Sequence, residues 1–281
     1  MKKAKKVSFS KERKEYQPGQ PSEVVTDIPS DSSDKPIEDL WESPGRNITD
    51  SPKPSIFTPN GSFVLIPLHL LVILYLEFTY FNIQSNVDGA LLKGLYLLAS
   101  CQFIYGILVT VNTNRSRKVS KKNKKAKVSS SFNSGDLLGL IFALVLSILS
   151  SIPLFITFIL FGAPIGSYTL RTFLLALHTG LITVLPMLCT YRLSDSDFKV
   201  DWANILTFQV DKFYKNQIYS MAIGGMIGCW LGVIPIPLDW DRPWQAWPIT
   251  LLGGMYLGGV VGNAVGWLGG KLPASSEQVS E

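Results

Sequence analysis

The chain reads as an all-α polytopic membrane protein, and three observations predict that class. Its 281 residues are 47% hydrophobic, and the apolar ones gather into blocks of about 17 to 25, the length a helix needs to cross the hydrocarbon layer. Basic residues avoid every second loop between those blocks. Glycine recurs at every fourth position in the last two, a spacing that lets membrane helices approach closely.

Six blocks qualify as spans, about residues 63–81, 89–111, 137–161, 168–191, 218–234 and 247–268. They predict one bundle, 62–271, between an N-terminal tail (1–61) and a C-terminal tail (272–281). The first tail is rich in Ser, Pro and charge. It cannot bury enough apolar surface to offset its chain entropy, so disorder is expected there. Its first 30 residues hold no apolar core, so no cleavable signal peptide is expected. Ser43-Pro44, Ser51-Pro52 and Thr58-Pro59 fit proline-directed phosphorylation, or are incidental pairs in a Pro-rich tail.

Charge sets the expected orientation. Ten of the 26 Lys and Arg precede the first span and eight lie within 115–127. Arg192, Lys199, Lys212 and Lys215 lie between spans four and five, and Lys271 follows span six. Loops 82–88, 162–167 and 235–246 hold only Arg242, with Lys93 and Arg171 just inside neighbouring spans. Basic loops stay cytosolic, so both termini are expected in the cytosol. The glycosylation acceptor patterns at Asn47, Asn60 and Asn114 would then stay unmodified. The 115–127 run lacks interleaved aromatics, so nucleic acid is not an expected partner. It reads as a solvated tether, which anionic headgroups would attract by about 1 kcal/mol per base.

Between spans four and five, Phe198, Trp202, Ile205, Leu206, Val210 and Phe213 share one arc of a helical wheel, with Asp201, Asn204, Thr207 and Asp211 opposite. This pattern predicts an amphipathic helix in the membrane interface. Cys101, Cys189 and Cys229 all fall inside spans, and an odd number there predicts free packing residues. Glu77, Lys93 and Arg171 lie near span ends, where snorkelling keeps charge wet. His69 and His178 are expected to make helix–helix hydrogen bonds.

Gly224, Gly228 and Gly232 mark one stripe of span five, and Gly254, Gly258, Gly262 and Gly266 mark one of span six. Either the two stripes pack on each other, or one docks a helix of another protein. The loop between them, PIPLDWDRPWQAWP (235–248), is the strongest candidate site. Its prolines restrict the backbone, and Asp239, Asp241 and Arg242 sit beside Trp240, Trp244 and Trp247, indoles suited to a membrane surface. These six residues are the expected contacts for a partner or substrate. Asp239 and Asp241 would suit a cation or acid–base chemistry, but with Asp88 they are the only carboxylates of these loops, and no histidine joins them. Phosphoryl transfer through two metal ions needs more ligands. No metal, cofactor, nucleophile–base pair or nucleotide-binding fingerprint is expected.

GCWLGVIPIPLDWDRPWQAWPIT (228–250) closely resembles the C-terminal signature of the PIG-F family, multi-pass endoplasmic reticulum proteins of glycosylphosphatidylinositol (GPI) anchor biosynthesis. FGAPIGSYTLRTF (161–173) and the Thr183–Pro186 region resemble further family stretches, although Gly166-Ser167 stands where a carboxylate often follows the Gly-Ala-Pro turn. The resemblance implies an endoplasmic reticulum membrane protein that supports transfer of ethanolamine phosphate from phosphatidylethanolamine to mannose of the GPI core. It also implies large ethanolamine-phosphate transferase subunits as partners, which carry the metal-dependent catalysis. A lipid carrier, a substrate-presenting membrane protein, and a phosphoethanolamine transferase in its own right remain open alternatives. A carrier would be expected to show inverted repeats, and none is visible.

Overall fold

The computed structural model describes residues 56–121, 132–195, 198–210, 212–238 and 240–272. Most of the N-terminal tail, residues 122–127 of the basic run, Asp211, Asp239 and nearly all of the C-terminal tail lie outside them. All regular structure among the described residues is helical. The helices are α1 (Leu68–Thr79), α2 (Val87–Lys121), α3 (Ser134–Leu149), α4 (Ser151–Leu160), α5 (Thr169–Thr179), α6 (Leu185–Thr190), α7 (Phe198–Leu206), α8 (Gln217–Leu231) and α9 (Ile249–Gly269). A π turn, Gly180–Val184, joins α5 to α6.

Four segments among the described residues are long and apolar enough to cross a membrane: Val87–Val119, Ser134–Leu160, Thr169–Thr190 and Ile249–Gly269. The other two predicted spans are shorter helices. Pro67 and a preceding 3₁₀ turn, Phe63–Leu65, hold back the start of α1. Span five ends at Leu231, because the Pro235 and Pro237 that follow disfavour helix in the residues before them. The structure thus shows an all-α membrane protein with four such segments, and not the six-span count.

The core segment is Thr169–Thr190, whose most apolar 18-residue window is 83% buried, whereas that of Ser134–Leu160 is peripheral at 22%. Ser134–Leu160 breaks at Ser150. There Ser147, Ser150 and Ser151 turn their hydroxyls onto carbonyls three residues back, at 2.8, 2.6 and 2.6 Å, and Pro153 follows without an N–H. Gly180 begins the π turn against this break, and a Cβ there would meet the Ser150 hydroxyl at 3.1 Å.

α8 and α9 pack glycine against glycine. A Cβ on Gly224 would lie 2.7 Å from the Gly262 Cα, one on Gly232 2.7 Å from the Leu251 Cα, and one on Gly266 2.6 Å from the Gln217 Cα. Gly228, Gly254 and Gly258 face one another in the same way. The obstructing atoms are backbone, so neither helix can yield to a side chain.

At one end of the bundle the chain preceding α1 is tied down. Buried Tyr191 donates from its hydroxyl to the Phe57 carbonyl (2.9 Å) and accepts from Asn216 (2.6 Å). Burial raises the Tyr191 phenol above its ordinary pKa, so it stays a donor. Gln217 bonds both backbone groups of Ser62, at 2.9 and 3.0 Å. Phe57 and Ser62 are therefore both held against the helices that follow. Arg117–Asp195 (2.6 Å) and Arg192–Asp136 (2.9 Å) pair across the same end. Asn114, one of the acceptor-pattern asparagines, donates its amide to Asp136 at 3.1 Å.

The predicted amphipathic helix is only partly present. α7 stops at Leu206, and Phe208 adopts φ 55°. Asp201, Asn204 and Ile205 are buried while Leu206 and, beyond the helix, Phe208 are exposed, so the two arcs do not divide into a buried and an exposed side. Trp202 sets this orientation by donating its indole N–H to the Tyr191 carbonyl at 3.0 Å.

Deeper in, Asn263 of α9 accepts from Gln217 (2.8 Å) and donates to the Tyr105 hydroxyl (3.3 Å). That hydroxyl donates in turn to the Leu65 carbonyl (2.8 Å). All three side chains are buried. Asn263→Leu would leave the Gln217 amide short of an acceptor, and the cost expected is about 1–3 kcal/mol. Thermal unfolding in detergent checks it as a fall of several degrees in midpoint.

Candidate functional site

The ends of α1, α4 and α8 and the beginnings of α2, α5 and α9 share the opposite end of the bundle, with three connections above them: 80–86, 161–168 and 232–248. The third is the tryptophan loop, and the helix pair beneath it sets its geometry. Glycine packing of α8 on α9 fixes the distance between the loop's two ends.

Within the loop, Gln245 is the brace. Its side-chain amide donates to the carbonyls of Pro235 (2.7 Å) and Leu238 (2.8 Å), and its oxygen accepts from the Arg242 N–H (2.8 Å). A 3₁₀ turn, Pro243–Gln245, closes between them. Asp241 adopts φ 45°, a left-handed conformation that Asp tolerates better than most residues. Trp240 and Trp244 pack with ring centroids 5.7 Å apart, and Trp240 remains 54% exposed.

The predicted site residues therefore divide. Trp240, Asp241 and Arg242 are exposed, and Trp244 supports them from a half-buried position. Trp247 turns inward, donating its indole N–H to Thr172 of α5 at 3.0 Å. Beneath it a cavity of about 140 Å³ is lined by Phe158, Phe161, Cys229, Trp230 and Trp247. Asp239 lies outside the described residues. The predicted glycine positions lie along the α8–α9 contact, with Gly232 at the foot of the loop and the others below it.

Two features escaped the sequence reading. Gln245 stands three residues after Arg242 and its side chain reaches back to the Arg242 N–H, half of a capping box that the donor-only guanidinium cannot complete, so no sequence signal marked it. Arg171 does not snorkel freely. It grips Asp88 with two bonds, 2.9 and 3.1 Å, and lies over the Tyr168 ring at 5.0 Å, so the carboxylate of Asp88 is already engaged. The two residues are 83 positions apart, and nothing local pairs them.

Glu77 is a correction. It is completely buried instead of snorkelling, with its carboxyl against Gly94 of α2. The histidine expectation also fails in part. His178 Nδ1 bonds the Leu174 carbonyl of its own helix at 2.8 Å, and neither His69 nor His178 Nε2 has a described partner. All three cysteines are free, as expected.

Gln245→Ala would release two carbonyls and one N–H from the loop while leaving α8 and α9 packed. Faster amide exchange confined to 235–245 is the expected result, with local stability lower by about 1–3 kcal/mol.

Residues 65–267 match the profile described as "GPI biosynthesis protein family Pig-F". The chain belongs to that family. Among relatives of this Pig-F family chain, glycosylphosphatidylinositol anchor biosynthesis protein 11 of Debaryomyces hansenii is 37% identical over 207 residues, covering 72% of this chain and 81% of the relative. The protein of the same name from Candida albicans is 33% identical over 275 residues, 93% of each chain. That from Yarrowia lipolytica is 45% identical over 124 residues, 44% of this chain and 52% of the relative. No solved structure matches. The Pig-F match spans the tryptophan loop and all the helices that carry it.

Proposed function

We propose that this protein is a non-catalytic membrane subunit in GPI-anchor biosynthesis. It supports partner transferases that move ethanolamine phosphate from phosphatidylethanolamine to mannose of the GPI core. Family membership supports the pathway, and the braced loop supports the role. Trp240, Asp241 and Arg242 stand exposed on a loop that glycine packing, Gln245 and the Trp247–Thr172 bond hold from three sides. Such a fixed, amphipathic surface suits recognition of a large transferase subunit or its lipid substrate.

In this reading α1 and α8 also cross, giving six spans in the endoplasmic reticulum membrane. Both termini face the cytosol and the tryptophan loop faces the lumen. Charge distribution supports the orientation. α1 and α8 would cover only about 18 and 23 Å at 1.5 Å per residue, and their flanking 3₁₀ turns extend them.

The test is reconstitution. The purified chain alone should transfer no ethanolamine phosphate, and adding the transferase recovered with it from detergent extracts should restore product. Transfer by the chain alone would establish it as an enzyme instead.

A further inference from the structure

Three fully buried polar side chains sit on three helices of the bundle, with Tyr256 near each of the other two. Glu77 of α1, His178 of α5 and Tyr256 of α9 each have no exposed surface. Both Glu77 carboxyl oxygens, the His178 Nε2 and the Tyr256 hydroxyl lack a hydrogen-bond partner among the described residues. The rings of His178 and Tyr256 lie 6.2 Å apart, and the Tyr256 hydroxyl is within electrostatic range of Glu77. No described Lys or Arg pairs with Glu77: Arg171 is bound to Asp88, and the other ion pairs sit at the far end of the bundle.

Burying one such group unpaired is costly, and a carboxylate costs more. An ionisable residue placed inside a membrane bundle marks a functional site by default. The chemistry narrows what the site takes. His178 Nδ1 donates to the Leu174 carbonyl, so Nε2 is left as an acceptor. The carboxylate is an acceptor, and the phenol oxygen can accept as well. Three acceptors match the three N–H donors of an ammonium. A hard divalent ion would want six or more oxygens.

We propose that Glu77, His178 and Tyr256 form an intramembrane site for a primary ammonium group. The site lies beneath the tryptophan-loop end: Tyr256 is seven residues into α9, about 10 Å along its axis. Gly94 keeps the carboxyl in place, since a Cβ there would collide with it. Free ethanolamine and the headgroup of phosphatidylethanolamine both carry the required group. The inference does not depend on the loop's proposed role, because its test reads binding to the purified chain without a transferase.

Native mass spectrometry of the full chain, exchanged into matched phosphatidylethanolamine and phosphatidylcholine, decides it. The amine lipid should be retained about tenfold over the quaternary one, which has no N–H to donate, a difference of about 1.4 kcal/mol. Glu77→Gln and Tyr256→Phe should each bring the ratio near unity. Loss of the preference on adding millimolar ethanolamine would show that the ammonium alone is recognised. A preference that survives ethanolamine but falls in both variants would show that the lipid headgroup is the ligand. Equal retention of the two lipids, or an unchanged ratio in the variants, overturns the proposal. Should Glu77→Gln fail to fold, Tyr256→Phe, which keeps the ring, carries the test.

Discussion

Gly228→Val should abolish accumulation of the folded protein, whereas Gly253→Ala on the facing helix should be tolerated. A Cβ at position 228 meets the Gly258 Cα at 3.0 Å and the Gly254 carbonyl carbon at 2.9 Å, while a Cβ at position 253 meets nothing within 4 Å. Overpacking against mobile side chains costs about 1–3 kcal/mol. Here the obstacles are backbone atoms, and the two helices must separate along their length. Against a total stability of about 5–15 kcal/mol, that loss is expected to cut the recovered, monodisperse protein at least about fivefold. Gly253→Ala gains up to about 1 kcal/mol of helix propensity. Fluorescence-detected size-exclusion of tagged variants checks both. Normal recovery of Gly228→Val would mean that α8 and α9 do not pack as the structure has them.

Trp244→Ala and Asp241→Asn should each reduce transferase co-purification about tenfold, a loss of about 1.4 kcal/mol or more at the contact, while leaving expression and thermal midpoint unchanged. Asparagine is chosen because it also adopts the left-handed backbone found at Asp241, so only the charge is removed. Trp247→Phe makes the contrast. It breaks the bond to Thr172 and should lower the thermal midpoint as well as recovery. Quantitative affinity recovery from membranes, normalised to the input chain, reads all three. Full recovery with both Trp244→Ala and Asp241→Asn would sink the docking role of the loop.

Much of this was legible in advance because membrane insertion writes simple rules into a chain. Apolar length gave helices near every predicted span, since unpaired backbone polar groups are too costly in hydrocarbon. Period-four glycine identified which surfaces of α8 and α9 come close. It did not choose their partner, since either a neighbouring helix or a foreign one would satisfy the same pattern. Proline shortened α8 below its apolar block, and Pro67 shortened α1. Both effects were readable but were outweighed by counting hydrophobic residues.

What the order of residues determined by itself was the class of the molecule, the place of its helices, and the loop where charge and indole concentrate. Only the tertiary structure decided that Trp247 is a strut while Trp240 is a surface, that Asp88 is held by Arg171, and that Glu77 is buried near Tyr256. The physical reason is that helical periodicity acts over a few residues and fixes which face a side chain occupies. Which groups meet across faces depends on how separate helices rotate and pack, and no local pattern records that.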